Sequence, residues 1–570
     1  MLKLAVRWKR KVPLAIVTVV YTFYFHFGEL ERFCLATHTQ APEAMLVVPP
    51  LALEPGAGWM GLGAALVICG VYGYALLCAC TVFPGAMVIL LPLLFGVTAF
   101  ASFFVDATGV PITSELMEAV FETNTNEAAG VLNLHLILSI AAALATCTIL
   151  LLIVRSDLHA DTTSRATTSR LNSRWMRALG GAALTVYAIA TPISGTLALY
   201  PHNLIRGTVT YVRNKLEMDE RIAHRRDVGN EGAGWQNEPP ADFAVVVVLG
   251  ESARADHFSI NGYGRPTTPA LAATRNLVSF ANVTSCATMT RASVPCLMTR
   301  ATASTMSVSL DETSFISIFN RLGFTSAWLS ANGVYGDHDS AVSAIAKEAS
   351  VREFRCSNPR ADGVVLDGDL VPALDRFLDN HSGRLLAVLH TEGSHWPYDA
   401  RYPSSFARFT PAFDHSTFVS WDHEPLINAY DNSVLYTDAV LAQIIERLRH
   451  RYALMLYVAD HGEMLGEDGR YMHGQECPEV RHVPMLWWAS DSFLDAHPQR
   501  FARLKNRRYE AVSHDYVFHS LLDCAGIKSP AIDPNLSLCR NPRSPSAVLA
   551  SSAATTSSGI ELIADVTSSD

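Results

Sequence analysis

Up to about residue 200 the chain is written in long apolar runs; beyond it, apolar positions recur in short blocks broken by charge. Five early runs, at about 12–28, 58–80, 84–105, 131–153 and 178–200, approach or exceed the ~20 residues that an α-helix needs to cross a bilayer. In the second half "DFAVVVVLG" (242–250) is an unbroken, largely β-branched run, the pattern of a strand buried on both faces. The segments 324–330, 384–390 and 452–460 are similar. Helical spacing appears in "SFISIFNRLG" and in "NSVLYTDAVLAQIIERLRH", where Val434, Leu435, Leu441, Ile444, Ile445 and Leu448 share one face. Strand and helix patterns that alternate in this way predict an α/β domain around a mainly parallel sheet.

Charge orients the first half. The N-terminus "MLKLAVRWKRK" is basic, and Arg155, Arg165, Arg170, Arg174 and Arg177 lie between the fourth and fifth runs. The loop between the third and fourth has no Lys or Arg but carries Asp106, Glu115, Glu118, Glu122 and Glu127. Basic loops stay cytoplasmic, so an odd number of spans exports everything after residue 200. A cleaved signal peptide does not fit the first run, since no small-residue cleavage site follows it. The expected organisation is a five-helix transmembrane domain (1–200), an amphipathic connector and hinge (201–240), a periplasmic domain (241–540) and a disordered Ser/Ala/Thr-rich tail (541–570). A net charge of −10 argues against nucleic acid as a partner.

Export changes the reading of the eleven cysteines. Cys34, Cys69, Cys78, Cys80 and Cys147 lie in or near the membrane part; Cys286, Cys296, Cys356, Cys477, Cys524 and Cys539 lie where disulfides form. Cys286 and Cys296 fit a bridge, which would restrain the unfolded chain by about 3 kcal/mol; the lesser alternative is two buried thiols. Cys524 and Cys539 are candidates for a second bridge. Three predicted strands end in polar groups: Glu251 after 242–250, Asp460 and His461 after 452–458, and His390, with Glu392 and His395, after 384–390. In parallel sheets sites form beyond the carboxyl ends of strands, and this N/O donor set suits Zn²⁺ better than Ca²⁺ or Mg²⁺. Thr288 and Thr290 precede a candidate helix. Thr290 is read either as a helix cap or as a hydroxyl that a metal activates beside a phosphate.

The segments "VVVVLGESARADHFSINGYGRPTTPAL", "SCATMTRASVPC", "HTEGSHWPYDARYP", "YDNSVLYTDAVL", "ADHGEMLGEDGRYMHG" and "RHVPMLWWAS" resemble, in order, those of bacterial phosphoethanolamine transferases of the lipid A and mobile colistin-resistance type. That family belongs to the alkaline phosphatase/sulfatase superfamily. The resemblance implies a zinc site of Glu251, Thr290, Asp460 and His461 with Thr290 as nucleophile. It implies that His395 and His473 bind a second zinc or the substrate phosphate, that Glu463 neighbours the site, and that a Cys286–Cys296 disulfide holds the nucleophile loop. "FETNTNEA" (121–128) is similar to the family's donor-lipid segment, with Thr123 and Glu127. Asp256 and His257 are read as structural partners of the turn that follows them.

The reaction so implied moves phosphoethanolamine from phosphatidylethanolamine to lipopolysaccharide, lipid A phosphate foremost, through a covalent threonine intermediate, releasing diacylglycerol at the Gram-negative inner membrane. A monomer is expected. The rivals are a phosphoglycerol transferase of the same superfamily, a periplasmic phosphatase or sulfatase, and a non-catalytic sensor module. Departures from the family pattern are Ala119 for an asparagine, no lysine near Asn332, Asp337 and His338, an unpartnered Cys356, Phe413 and Trp421 in place of a disulfide, and a shortened "HGQECPEVRHVP".

Overall fold

Eight consecutive buried residues make the strand Phe243–Gly250 (β1), and it is central because a strand with no polar face must be covered on both sides. In the computed structural model the described residues are 84–108, scattered positions between 112 and 121, 134–159 and, with short gaps (chiefly 333–340, 355–364 and 415–422), 202–540. They divide into two units, one from the described residues up to Asn214 with Gly466–Met472, the other from the remaining described residues.

The second unit is built on an eight-stranded sheet. After β1 come Leu277–Thr284 (β2), Thr325–Ser330 (β3), Val351–Phe354 (β4), Arg384–His390 (β5), Ala453–Ala459 (β6), His482–Ala489 (β7) and Val512–Ser513 (β8). Their order is β8-β2-β7-β6-β1-β5-β3-β4. Only β7 runs antiparallel to its neighbours, β2 and β6; the other pairs are parallel. The four strands expected from apolar runs are β1, β3, β5 and β6, within a residue at each end. The other four have weaker patterns: β2 alternates in burial along its length, β7 contains Pro484, and β4 and β8 are short.

Helices cover the sheet, one of them through a single apolar face and the longest with its middle turns buried all round. Leu370–Asn380 buries Leu370, Val371, Leu374, Phe377 and Leu378, a spacing that returns to one side every turn or two. The long helix His423–Leu448 starts well before the expected Asn432. Its first turns carry Asn428 and Asp431, which interrupt the apolar pattern yet are buried because each is hydrogen-bonded. Asn428 donates to Pro411 O at 2.8 Å, and Asp431 accepts from Tyr263 and Arg265 and pairs with His257. Disulfides join Cys286 to Cys296 and Cys524 to Cys539.

In the first unit, Pro84–Thr108 and Leu134–His159 fall on the third and fourth expected spans. Leu91, Phe95, Ala99 and Val105 share a buried cluster with Ala143, Cys147 and Tyr211. Among the described residues no helix is long and apolar enough to cross a membrane. The expected spans 12–28, 58–80 and 178–200, the tail 541–570, and Ala119, Thr123, Glu127, Asp337, His338, Cys356 and Trp421 lie outside the described residues. The helix His202–Ala223 lies within the expected connector.

Leu456 is fully buried in β6, between β1 and β7. Leu456→Ala is expected to destabilise the protein by about 2–5 kcal/mol through the cavity it leaves, read as a lower denaturant midpoint with an unchanged slope.

Candidate active site

Strand register assembles the site. Gly250 lies opposite Ala459 across the β1–β6 ladder, so the next residues, Glu251 and Asp460, leave the sheet side by side. Leu249 lies opposite His390, which brings the turn after β5 to the same edge. Glu251, Asp460 and His461 are all buried, with one ligand atom from each within 4.8 Å of the others. His461 Nδ1 is 2.9 Å from its neighbour Gly462 O. A carbonyl only accepts, so Nδ1 carries the proton and Nε2 turns its lone pair to the carboxylates. Nε2 is 3.4 Å from Glu251 Oε1 and 3.4 Å from Asp460 Oδ2.

Thr290 completes this group from another part of the chain. It is the first residue of the helix Thr290–Met298, and the cap position belongs to Met289. The capping alternative is therefore replaced: the hydroxyl turns to the strand ends, donating to Glu251 Oε2 at 3.0 Å and lying 3.2 Å from His461 Nε2.

The electrostatics of this cluster ask for a cation. Burial, then Asp460, pushes the Glu251 carboxyl up to about 7; burial pushes Asp460 up to about 6. Burial and His473 bring His461 down to about 4, so its ring is neutral. Asp460 Oδ1 accepts from Ser252 N and His461 N, while Oδ2 is buried with no hydrogen bond. A buried acceptor without a donor is costly, and two carboxylates, an imidazole lone pair and a hydroxyl form the N/O donor set of a tetrahedral ion. The residues present fit zinc.

A second cluster beside it is already balanced. Glu463 Oε2 pairs with His473 Nδ1 at 3.0 Å and Oε1 accepts from Tyr398 at 3.2 Å. Burial works against both charges but is outweighed by their pairing: Glu463 falls below the usual carboxylate range and His473 rises to about 9. The His473 ring lies 4.4 Å from that of His461 and 5.3 Å from that of His395. His395 donates Nδ1–H to Trp396 O at 2.7 Å, leaving Nε2 free of that bond.

Residues that sequence reasoning passed over hold this arrangement. Ser252 has φ +53°, a strained left-handed conformation for a residue with a side chain. Three bonds hold it: its N–H to Asp460, its hydroxyl to Glu251 Oε1 at 2.8 Å, and its carbonyl accepting from Tyr430 at 2.7 Å. Gly393, at φ +51°, passes so near Glu251 that a Cβ would lie 2.5 Å from its carbonyl. Asp367 accepts from Glu392 N and Gly393 N and so fixes the turn that bears His395. His390 and Glu392 do not join the metal-binding group: His390 contacts Ser330 and Asn332, and Glu392 pairs with Arg401 at 2.7 Å. Asp256 pairs with Arg254 and His257 with Asp431, within the turn structure. Phe413 is buried against Trp396.

Residues 244–527 match the family described as Sulfatase. The sheet and its strand-end site define a member of that α/β class, which agrees with the expected superfamily. Residues 71–214 match the family described as Phosphoethanolamine transferase EptA/EptB. Phosphatidylethanolamine transferase Mcr-1 of Escherichia coli is 32% identical over 465 residues, 75% of this chain and 83% of that protein. Kdo(2)-lipid A phosphoethanolamine 7''-transferase of Salmonella typhimurium is 33% identical over 315 residues, 53% of this chain and about half (55%) of that relative. Among solved structures, the integral membrane lipooligosaccharide phosphoethanolamine transferase A (EptA) from Neisseria meningitidis shares the fold with a TM-score of 0.74 at 22% identity, covering 93% of this chain and 99% of that one. The chain belongs to the phosphoethanolamine transferase family.

The raised carboxyls set a pH dependence for metal-free protein. Between about pH 4.5 and 7 folded Glu251 and Asp460 keep protons that the unfolded chain has lost, so stability falls as pH rises through that window. A bound cation favours the ionised forms and removes this loss. The melting temperature of chelator-treated protein is expected to fall, relative to zinc-loaded protein, between pH 5 and 7.5. A gap that narrows with rising pH would contradict the assignment.

Proposed function

We propose that this chain transfers phosphoethanolamine from phosphatidylethanolamine to lipopolysaccharide, at a lipid A phosphate, with Thr290 as the nucleophile. The observation that carries this reading is the Thr290 hydroxyl meeting Glu251 and His461, which are grouped with Asp460, in a chain of this family. The names of the relatives support the donor and the acceptor class.

In the first half-reaction Thr290 Oγ1 attacks phosphorus, a new P–O bond forms, and the bond to the glycerol oxygen breaks. Diacylglycerol leaves with the proton, and phosphoethanolamine stays on Thr290. In the second, an oxygen of a protonated acceptor phosphate attacks the same phosphorus, the Thr290 Oγ1–P bond breaks, and the acceptor's proton returns Thr290 as its hydroxyl. Zinc held by Glu251, Thr290, Asp460 and His461 would supply Lewis acidity, lowering the pKa of the hydroxyl. Glu251 Oε2 holds the Thr290 hydrogen before attack. His473, charged at neutral pH through Glu463, offers its other ring nitrogen to a phosphate oxygen, and His395 stands beside it. The first turn of the helix at Thr290 favours an anion there.

Both substrates are membrane lipids, which accounts for the proposed organisation: five spans in 1–200, the connector 201–240, a periplasmic catalytic domain 241–540 and the tail 541–570. Thr123 and Glu127 are proposed to meet the donor head group. The chain is proposed to act as a monomer in the inner membrane. The basic cytoplasmic loops and the integral-membrane relative of the same fold support this reading.

Expression in a Gram-negative host should add phosphoethanolamine to lipid A, seen by mass spectrometry, and Thr290→Ala should reduce this by at least about a thousandfold. Trapped wild-type enzyme should carry a phosphoethanolamine increment on the peptide containing Thr290. A phosphoglycerol increment would replace the donor assignment, and full activity of Thr290→Ala would end the covalent mechanism.

A further inference from the structure

We propose that His514 is a positioning residue for Thr290: a neutral donor–acceptor clamp that fixes the nucleophile's loop to the strand bearing Asp460 and His461. The inference rests on the transferase reading above and adds a residue to it. No apolar run announces this position; it follows a two-residue strand in "AVSHDYVFHS".

The edge strand β8 delivers it. Val512 and Ser513 pair in parallel with Val283 and Thr284, and His514 N–H continues the ladder to Thr284 O at 3.0 Å. The ring is thereby set against the start of the disulfide loop, with 1% of the residue exposed. Its Nε2 lies 3.0 Å from Ala459 O and its Nδ1 3.3 Å from Cys286 N. A backbone carbonyl can only accept and a backbone N–H can only donate. The two contacts therefore assign the tautomer without reference to any side chain: Nε2 carries the hydrogen and Nδ1 the lone pair.

Three segments distant in sequence meet on this ring. Ala459 immediately precedes Asp460. Cys286 is bridged to Cys296 at the far end of the Thr290 helix. Ser293, one turn after Thr290, lies 3.2 Å from Nδ1 and gives its hydroxyl hydrogen to Asp460 O. Loop, helix and the strand end that leads to Asp460 are thus tied at one place, one helical turn from Thr290. Displacement of a reacting atom by about 1 Å can cost a hundredfold in rate. An apolar side chain at 514 would leave Ala459 O and Cys286 N–H without the partner that His514 gives them.

Glutamine separates this clamp from simple packing. Its amide offers one donor and one acceptor, spaced about as the two ring nitrogens are. Leucine fills similar volume with neither. In full-length protein, His514→Leu is expected to lower kcat at least tenfold with the donor KM changed less than about twofold, and to speed amide exchange at Cys286. His514→Gln is expected to hold kcat within about threefold of wild type, with wild-type exchange. The proposal is overturned if the Gln variant is as slow as the Leu variant, if the Leu variant keeps wild-type kcat, or if its exchange at Cys286 is unchanged. Should the Leu variant not fold, the folded Gln variant decides alone: near wild-type kcat supports the clamp, and a tenfold loss rejects it. Wild-type protein without transfer activity would count against the transferase reading instead, while the exchange comparison would still judge the clamp.

Discussion

Four electron-rich groups meet at the end of two adjacent strands with more lone pairs than hydrogens turned toward one another, and the remainder of the catalytic unit is arranged around that shortage. Glu251, Asp460, His461 and the Thr290 hydroxyl are held close together with Asp460 Oδ2 given no hydrogen bond. In water such groups would separate or take up protons. Here they stay together because each is carried by an element that cannot move independently: two by central strands in fixed register, one by the residue after Asp460, one by a disulfide-bound helix. The strain this stores, from burial and from repulsion between carboxylates, is what a cation relieves on entering.

Around this centre lies a layer whose work is restraint. Ser252 is kept in a left-handed conformation by bonds to both carboxylates and to Tyr430. Asp367 clamps the turn of His395 from below, and Gly393 lets that turn pass against Glu251. None of these groups needs to touch substrate. Their effect is to make the donor set rigid before a ligand arrives, so that little reorganisation is left for the reaction.

What was legible in the sequence follows from what leaves a linear pattern. Central strands bury both faces, so β1, β3, β5 and β6 appear as apolar runs, and the polar residues that follow β1 and β6 mark the site. The family motifs then singled out Thr290, which local pattern alone left as a possible cap. Ser252, Asp367 and His514 left no such mark. A serine in a strained turn, an aspartate bonded to backbone twenty-odd residues away and a histidine after a two-residue strand become informative only when the chain is folded. The start of the His423–Leu448 helix was hidden for a related reason: Asn428 and Asp431 look solvent-facing in sequence and are buried only because distant residues complete their hydrogen bonds.

The contrast between the two neighbouring clusters has a consequence for how each responds to a cation. At Glu251, Asp460 and His461 negative charge is uncompensated, whereas Glu463 and His473 already neutralise one another through a shared proton. The second cluster is occupied, but by hydrogen rather than by metal. An ion entering it must evict that proton, so its apparent affinity falls about tenfold for each unit of acidification below the pKa of His473. The first cluster must likewise lose the protons that burial keeps on Glu251 and Asp460, but only below about pH 7. The two neighbouring clusters thus answer a cation differently: one offers it lone pairs, and the other must first give up the hydrogen that holds it together.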